Sequence, residues 1–136
     1  MQTFLPYPSF EKSARALDNK RLNKQIVEAM QIYTANVNYS LNVKSGWQNH
    51  PAVKMWRGFE KQLLKYREAC LIEWRHRGFK SHQAIDYSMY LDKIPHWLGS
   101  HIFHQSHQSN LVRKDKERYA PMFPGVPDNL PYIWPV

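Results

Sequence analysis

The segment from Pro51 to Gly78 constrains the fold more than any other, because its apolar residues recur at helical spacing. The repeat consists of Trp56, Phe59, Leu63, Tyr66, Cys70 and Trp74. Steps of three and four residues place these side chains on one face of an α-helix, and Pro51 suits a first helical turn. The pattern predicts one long amphipathic helix over residues 51–78, whose apolar face other elements must cover.

Other segments also have helical patterns. Ser9 can cap a short helix that runs toward Leu17, and Asp18 can cap a second helix over residues 18–35. The apolar face of this second helix comprises Leu22, Ile26, Met30 and Tyr33. Residues 101–113 read as a further substantial helix, whereas residues 36–46 and 81–99 lack a sustained period and predict loops.

The C-terminal residues cannot continue a helix, because prolines recur through them. They are Pro121, Pro124, Pro127, Pro131 and Pro135. This density predicts an extended arm, whose aromatic residues either pack over the helices or stack on bases. No segment alternates as a strand does, so we expect an all-α fold. It is a compact single domain over residues 1–136, with three main helices and an extended Pro-rich C-terminal arm.

The chain is strongly basic, with 19 Lys and Arg against 11 Asp and Glu and a net charge of +8. Such an excess favours a polyanionic partner, because neutralising phosphates releases counterions. The single cysteine, Cys70, excludes an internal disulfide and is predicted to be an inert core thiol. The sequence contains no signal peptide and no long apolar run, so we expect a soluble, cytoplasmic monomer that needs no cofactor or membrane.

The stretch DNKRLNKQIVE, residues 18–28, contains a polar stripe. Arg21 and Glu28 are seven residues apart and lie nearly in line at about 100° per residue, with Lys24 and Gln25 flanking that line. The apolar residues of this helix take the opposite side. A carboxylate among cations stays ionised, which suits charge stabilisation or base chemistry. The alternative is a solvated face with an ordinary Lys24–Glu28 ion pair.

The predicted helix over residues 101–113 is unusually polar. His101, His104 and His107 follow one another at three-residue steps, but no Cys or acid in the run completes a zinc site. Histidines that hydrogen-bond in a polar groove are therefore the preferred interpretation, and such a surface can contact phosphates and base edges. The sequence contains no Walker A loop, GxSxG or paired-Cys motif, which argues against nucleotide hydrolysis and acyl transfer.

Four stretches together resemble one family: KRLNKQIVE (20–28), GWQNHPAVKMW (46–56), RHRGF (75–79) and HQSNLVRK (107–114). The chain is similar to the pyrimidine dimer DNA glycosylases of the phage endonuclease V type, and in particular to a branch of short homologues that begin MQTFLPYP. The resemblance implies a metal-free all-α enzyme that binds duplex DNA and flips a nucleotide out of the helix. It also implies that an N-terminal α-amine attacks the sugar of the damaged nucleotide, forms an imine and breaks the strand by β-elimination, assisted by a glutamate on a helix.

The family's amine belongs to a Thr exposed by removal of Met, but Gln2 is bulky enough to prevent that removal, so the amine here would belong to Met1. An α-amine loses its proton more readily than a lysine does. A lysine among residues 20–24 is the alternative nucleophile, and Glu28 lies about two helical turns beyond the family's glutamate. The candidate catalytic residues are Met1, Lys20, Arg21 and Glu28. The candidate DNA-binding residues are Lys24, Gln25, Asn49, His50, His104, His107, Gln108, Arg113 and Lys114.

We therefore expect a DNA glycosylase, with or without AP lyase activity, that acts on damaged or modified pyrimidines. Two alternatives remain open. One is a non-catalytic nucleic-acid-binding module that shares the fold, and the other is an enzyme that acts on modified bases or nucleotides outside repair.

Overall fold

The computed structural model describes residues 1–136 and contains six α-helices and no strand. The helices are α1 (Phe10–Ala16), α2 (Asn19–Ser40), α3 (Pro51–Lys54), α4 (Glu60–His76), α5 (His101–Lys114) and α6 (Lys116–Tyr119). Helices α1 and α2 both pack on α4. The predicted all-α class is confirmed, but α1 joins α2, α4 and α5 as a fourth substantial helix, where three were expected.

The predicted caps are present at both of the first two helices. The Ser9 side chain accepts a hydrogen bond from the Lys12 amide at 3.1 Å, and the Asp18 carboxylate accepts one from the Arg21 amide at 3.2 Å. Helix α2 continues to Ser40, so the first part of the predicted loop over residues 36–46 is helical. A tertiary contact favours this extension, because the buried Asn36 side chain donates to the Val53 carbonyl at 3.1 Å.

The predicted continuous helix over residues 51–78 is wrong, because α3 ends at Lys54 and α4 begins at Glu60. Gly58, between them, has a φ of +88°, a left-handed conformation that a right-handed helix cannot include. Trp56 also lies in this break and is fully buried, and its Nε1 donates to the Thr3 hydroxyl at 3.0 Å. The apolar period thus correctly predicted that these side chains face the core, but the backbone that carries them is not one continuous helix.

The core lies where α2 and α4 meet residues from both ends of the chain. Its largest fully buried side chains are Trp56, Tyr66, Tyr119 and Phe103. Met30 was predicted to face the core but is 39% exposed. Each four-residue step along a helix moves the side chain about 40° past a full turn, so the repeat leaves the buried face. That face of α2 passes instead through Ala29 and Ile32. Cys70 is buried as predicted, and burial raises the pKa of its thiol to about 12.

The remaining segments follow the predictions more closely. Helix α5 begins at His101 and ends one residue beyond the predicted boundary, and residues 81–99 form no helix. The extended C-terminal arm was expected to begin directly after α5, but residues 116–119 form α6, and only the rest of the arm, residues 121–136, is non-helical. Phe123 is buried in the core, and Tyr132 and Trp134 pack against it, so the arm covers the helices. No helix has the length and apolarity needed to span a membrane.

The N-terminal segment, residues 1–6, is non-helical yet buried beyond Met1. Backbone groups removed from water need hydrogen-bond partners, and an isolated extended segment cannot supply its own. Side chains of α2 and α4 supply them at Phe4. The Phe4 amide donates to Gln25 Oε1 at 2.7 Å, and the Tyr66 hydroxyl donates to the Phe4 carbonyl at 2.7 Å.

Helix α5 supplies the partners for the next residue. The Leu5 amide donates to Nδ1 of His107 at 2.9 Å, and Nδ1 of His104 lies 2.8 Å from the Leu5 carbonyl. Nε2 of His104 accepts from the Gly99 amide, so Nδ1 carries the proton and donates to Leu5. The N-terminal segment is therefore hydrogen-bonded to three helices.

This arrangement predicts loss of stability in acid. Burial lowers the pKa of His107 to about 3, with a smaller contribution from the neighbouring His104. The unfolded chain protonates this histidine near pH 6.5 but the folded protein does not, so the stabilisation is complete above about pH 6.5 and is lost as the pH falls toward 3. We expect the free energy of unfolding to decline by up to about 1.4 kcal/mol per pH unit for this group, as measured by urea denaturation.

Two variants identify the titrating group. His107→Gln keeps an acceptor for the Leu5 amide without titrating, so its unfolding free energy should vary less with pH than that of the wild type. His101→Gln alters an exposed ring at the start of the same helix and should keep the wild-type pH dependence. A wild-type slope in His107→Gln would contradict the assignment.

Candidate active site

A cavity of about 620 Å³ lies between the N-terminal segment, the first half of α2 and the C-terminal arm. It is lined by Met1, Gln2, Phe4, Lys20, Arg21, Lys24, Gln25, Glu28, Lys114, Asp115, Tyr132 and Trp134. The four residues predicted to be catalytic from the sequence all belong to this set, as do three of those predicted to bind DNA. The cavity thus brings together the two ends of the chain and the polar stripe of α2.

Glu28 is held firmly at the wall of the cavity. Its Oε2 accepts a hydrogen bond from the Gln2 amide at 2.8 Å, and its Oε1 lies 3.8 Å from Nζ of Lys24. Glu28 is 8% exposed and Gln25 is 1% exposed, so the solvated-face alternative is wrong for both side chains. Half of the polar stripe does not face away from the core as expected, because the N-terminal segment covers Gln25 and Glu28, whereas Lys24 stays exposed.

The α-amine of Met1 lies close to Glu28. The backbone nitrogens of consecutive residues are at most about 3.6 Å apart, so the hydrogen bond from Gln2 places the Met1 amine within about 6.5 Å of the Glu28 carboxylate. His50 is near both groups. Partial burial lowers the pKa of His50, the positive Met1 amine lowers it further, and the Glu28 carboxylate acts in the opposite direction. The amine and the carboxylate therefore share this end of the cavity, and the His50 imidazole lies close enough for both charges to act on it.

Cations surround the carboxylate on α2. Lys20, Arg21 and Lys24 line the cavity from successive positions of the helix, and Lys114 approaches from the end of α5. Arg21 also pairs with Asp18, with Nη1 and Oδ1 3.0 Å apart, which fixes the guanidinium at the start of the helix. Such a group of cations favours a phosphate at this cavity, whose two lining acids are Glu28 and Asp115.

Several residues predicted to bind DNA have other partners. His104 and His107 are buried against Leu5, and Gln108 donates to the Pro6 carbonyl at 2.7 Å. The two rings lack the exposure that a DNA contact requires, because the polar face of α5 is turned inward to the N-terminal segment. Arg113 is exposed, but it donates to the Asp128 carbonyl at 2.9 Å and so helps to hold the C-terminal arm.

The remaining two, Asn49 and His50, do not line the cavity. Asn49 is exposed and does not line the cavity. Nδ1 of His50 accepts from the Ala52 amide at 3.0 Å and caps α3, while its ring contacts Trp134 with the centroids 5.8 Å apart. His50 thus connects the loop before α3 with the wall of the cavity.

Five of the lining residues were not among the candidate site residues predicted from the sequence: Gln2, Phe4, Asp115, Tyr132 and Trp134. Gln2 is the most informative of them. Its Oε1 accepts from the Thr3 amide at 2.8 Å, which leaves its Nε2 as a buried donor without a partner. The signal available in the sequence was the apolar, proline-containing start MQTFLPYP, which is typical of a buried non-helical segment.

Metal ligation has no geometric support among the histidines of α5. His101 is exposed, whereas the other two rings of the run are buried and bonded to Leu5. No group of three His, Cys, Asp or Glu side chains lies together in a geometry that could hold a metal ion.

The geometry assigns Gln25 a structural contribution that a substitution can test. Its Oε1 accepts from both the Phe4 amide and the Tyr66 hydroxyl, at 2.7 and 2.8 Å. Gln25→Leu should therefore lower the free energy of unfolding by about 1–3 kcal/mol, because it leaves a buried amide unpaired. Gln31→Leu alters an exposed glutamine of the same helix and should cost much less. Equal stability losses in urea denaturation would contradict this assignment.

Comparison with models of protein families matched residues 1–87 of the 136 to the family described as Pyrimidine dimer DNA glycosylase. The matched part includes the N-terminal segment and helices α1 to α4, and with them Glu28 and the cations of α2. Comparisons with curated proteins and with solved structures gave no match.

Proposed function

The chain belongs to the pyrimidine dimer DNA glycosylase family, and we propose that it is a DNA glycosylase that cleaves a damaged or modified pyrimidine from its sugar. One observation carries the proposal: an α-amine, a fixed carboxylate and several cations meet at a single cavity. Its volume of about 620 Å³ falls within the range of small-molecule sites, so one nucleotide fits.

Duplex DNA is the proposed substrate. The net charge of +8 and the cluster of Lys20, Arg21, Lys24 and Lys114 at the cavity support binding to the phosphate backbone. A base stacked within a duplex cannot reach into a cavity of the protein, so the target nucleotide must rotate out of the duplex. The aromatic rings of Tyr132 and Trp134 at the cavity offer surfaces on which the extruded base can stack.

The α-amine of Met1 is the proposed nucleophile, and Nζ of Lys20 or Lys24 is the alternative. The lone pair of the attacking amine forms a bond to C1′ of the sugar. The bond between C1′ and the pyrimidine breaks, and the electron pair of that bond leaves with the base, which takes up a proton. Opening of the sugar ring gives an imine. Loss of a proton from C2′ then expels the 3′ phosphate and breaks the strand.

Glu28 has two proposed tasks in this sequence. Its carboxylate stabilises the positive charge that develops on the sugar, and it accepts a proton during ring opening or elimination. Its hydrogen bond to Gln2 holds it beside the first residue at the moment of attack. The lowered pKa of His50 keeps that ring neutral near pH 7, so it adds no positive charge next to the cationic sugar.

Trapping of the imine tests the proposal directly. Duplex DNA with a cyclobutane pyrimidine dimer, an oxidised pyrimidine or an abasic site is incubated with the protein and borohydride, which reduces an imine to a stable amine. We expect a covalent adduct, located by peptide mapping on Met1 or on the lysines of α2. Absence of both an adduct and strand cleavage on all three substrates would refute the lyase chemistry and favour a non-catalytic DNA-binding module.

A substitution at Glu28 separates its charge from its structural contact. Glu28→Gln keeps an oxygen that accepts from the Gln2 amide, so the melting temperature should change little. Loss of the carboxylate should lower the single-turnover rate by about 10²-fold or more, the usual contribution of a positioned acid or base. Glu117→Gln, on exposed α6, serves as the matched control and should cleave at the wild-type rate. Full activity in Glu28→Gln would exclude the proposed role of this residue.

The salt dependence of binding tests the phosphate contacts. A lysine that neutralises one phosphate contributes about 0.9 to the slope of log K against log salt concentration. We expect Lys24→Ala and Lys114→Ala each to reduce the slope by about this amount, in fluorescence anisotropy titrations with lesion-containing duplex. Lys65→Ala removes a lysine that pairs with Asp92 and does not line the cavity, so the wild-type slope should remain. Unchanged slopes in both test variants would place the DNA elsewhere.

A further inference from the structure

Trp47 adopts a backbone conformation that is unfavourable for its residue type. Its φ is +74°, in the left-handed region that a bulky side chain rarely occupies. The indole is 56% exposed and does not pack against the hydrophobic core. Strained residues of this kind persist where the surrounding structure imposes them, and they cluster at functional sites. The core gives no reason for a tryptophan at this position.

The loop that carries Trp47 is held in place from both sides. The Arg57 guanidinium donates to the Gln48 carbonyl at 2.6 Å and to the Asn36 side chain at 3.0 Å, and it lies 3.7 Å from the centre of the Tyr39 ring. The His50 amide also donates to the Trp47 carbonyl at 2.9 Å. The exposed indole is therefore presented on a supported loop.

A series of ring contacts connects Trp47 with the candidate active site. The centroids of Trp47 and His50 are 5.8 Å apart, and those of His50 and Trp134 are also 5.8 Å apart. Trp134 lines the cavity. The ring centroids of Trp47 and Trp134 are thus at most about 12 Å apart, so both rings can contact the same few base pairs of a duplex at about 3.4 Å per step.

The surface beside Trp47 continues the face of α2 that lines the cavity. A groove of about 290 Å³ lies next to the indole and includes Gln31, Thr34 and Asn38. These residues follow Glu28 at helical spacing, so the cavity and the groove occupy successive turns of one helix. The side chains offer amide and hydroxyl groups to sugars, phosphates or base edges.

We propose that Trp47 inserts its indole between two base pairs of duplex DNA, next to the nucleotide that enters the cavity. The inference rests on the proposed function, because it takes duplex DNA as the ligand of this face. Apolar side chains that enter a base step unstack it and kink the duplex, and aromatic rings stack on bases of any sequence. The indole would occupy the gap that the extruded nucleotide leaves and so favour the extruded state.

Binding to a duplex with a tetrahydrofuran abasic-site analogue tests the inference without any chemistry. A 2-aminopurine next to the analogue reports changes in stacking. The wild type should bind this duplex and change the 2-aminopurine fluorescence. Trp47→Ala should bind it about tenfold more weakly and lose the fluorescence change, because stacking of one base on an aromatic ring is removed. Trp47→Phe should recover most of both signals.

Two controls separate this effect from misfolding. Trp47→Gly relieves the left-handed strain and should melt no lower than the wild type, although it should bind the duplex as weakly as Trp47→Ala. Leu41→Ala removes another exposed apolar side chain of the same connection, 66% exposed, and should bind as the wild type does. Weak binding together with an unchanged or higher melting temperature is the expected combination.

Other outcomes overturn the inference or the proposed function separately. If the wild type forms the borohydride adduct and Trp47→Ala binds DNA with unchanged affinity and fluorescence, the inference is wrong and the proposed function stands. If duplex binding depends on Trp47 but no adduct forms on any substrate, the glycosylase chemistry fails and the insertion stands. Self-association that Trp47→Ala abolishes, with DNA affinity unchanged, would overturn the inference and assign this surface to a second copy of the chain.

Discussion

The structure depends on one requirement, which is that the buried backbone of the N-terminal segment has hydrogen-bond partners. Gln25 and Tyr66 bond to the backbone of Phe4, and His104 and His107 bond to the backbone of Leu5. The partners come from α2, α4 and α5, so one extended segment sets the relative positions of three helices. This requirement also explains why α5 carries His104 and His107 on a buried face, whereas its buried Ser109 accepts from the Leu130 amide of the C-terminal arm.

The same requirement places the reactive groups. The Gln2 amide finds its partner in Glu28, and this contact brings the first residue of the chain to an acid from the third turn of α2. Burial then removes that acid from solvent while the cations around it stay accessible, Lys24 above all. Structural and candidate catalytic contacts are therefore close neighbours, because Gln25 and Glu28 lie on adjacent turns of α2 and hold Phe4 and Gln2, two positions apart.

The sequence predicted those features that depend on local physics. The caps at Ser9 and Asp18, the bounds of α5 and the inward face of α4 all follow from spacing and side-chain chemistry within one segment. The errors arose where distant segments meet. The burial of Gln25 and Glu28 and the inward orientation of His104 and His107 depend on where the N-terminal segment runs, which no period within a helix encodes. The break at Gly58 was missed because the apolar period continues across it.

The family resemblance found the residues of α2 that line the cavity, but it did not find Gln2 or the aromatic residues of the arm. Gln2 could not be assigned because its position relative to Glu28 is a tertiary contact. Tyr132 and Trp134 were noted for their aromaticity, yet packing and base stacking use the same side chains, so composition could not separate the two. Their place at the cavity is a consequence of where the arm crosses the N-terminal segment.

The contact between Leu5 and His107 also bears on how the protein is made. These residues are 102 positions apart, so residues 1–6 leave the ribosome well before the histidine that pairs with Leu5 is synthesised. Until α5 emerges, the backbone of residues 1–6 lacks part of its hydrogen-bond partners. The helices that form earlier therefore cannot complete their packing before α5 is present. The candidate active site is consequently complete only after α5 and the C-terminal arm have been synthesised, because Lys114, Tyr132 and Trp134 also line its cavity.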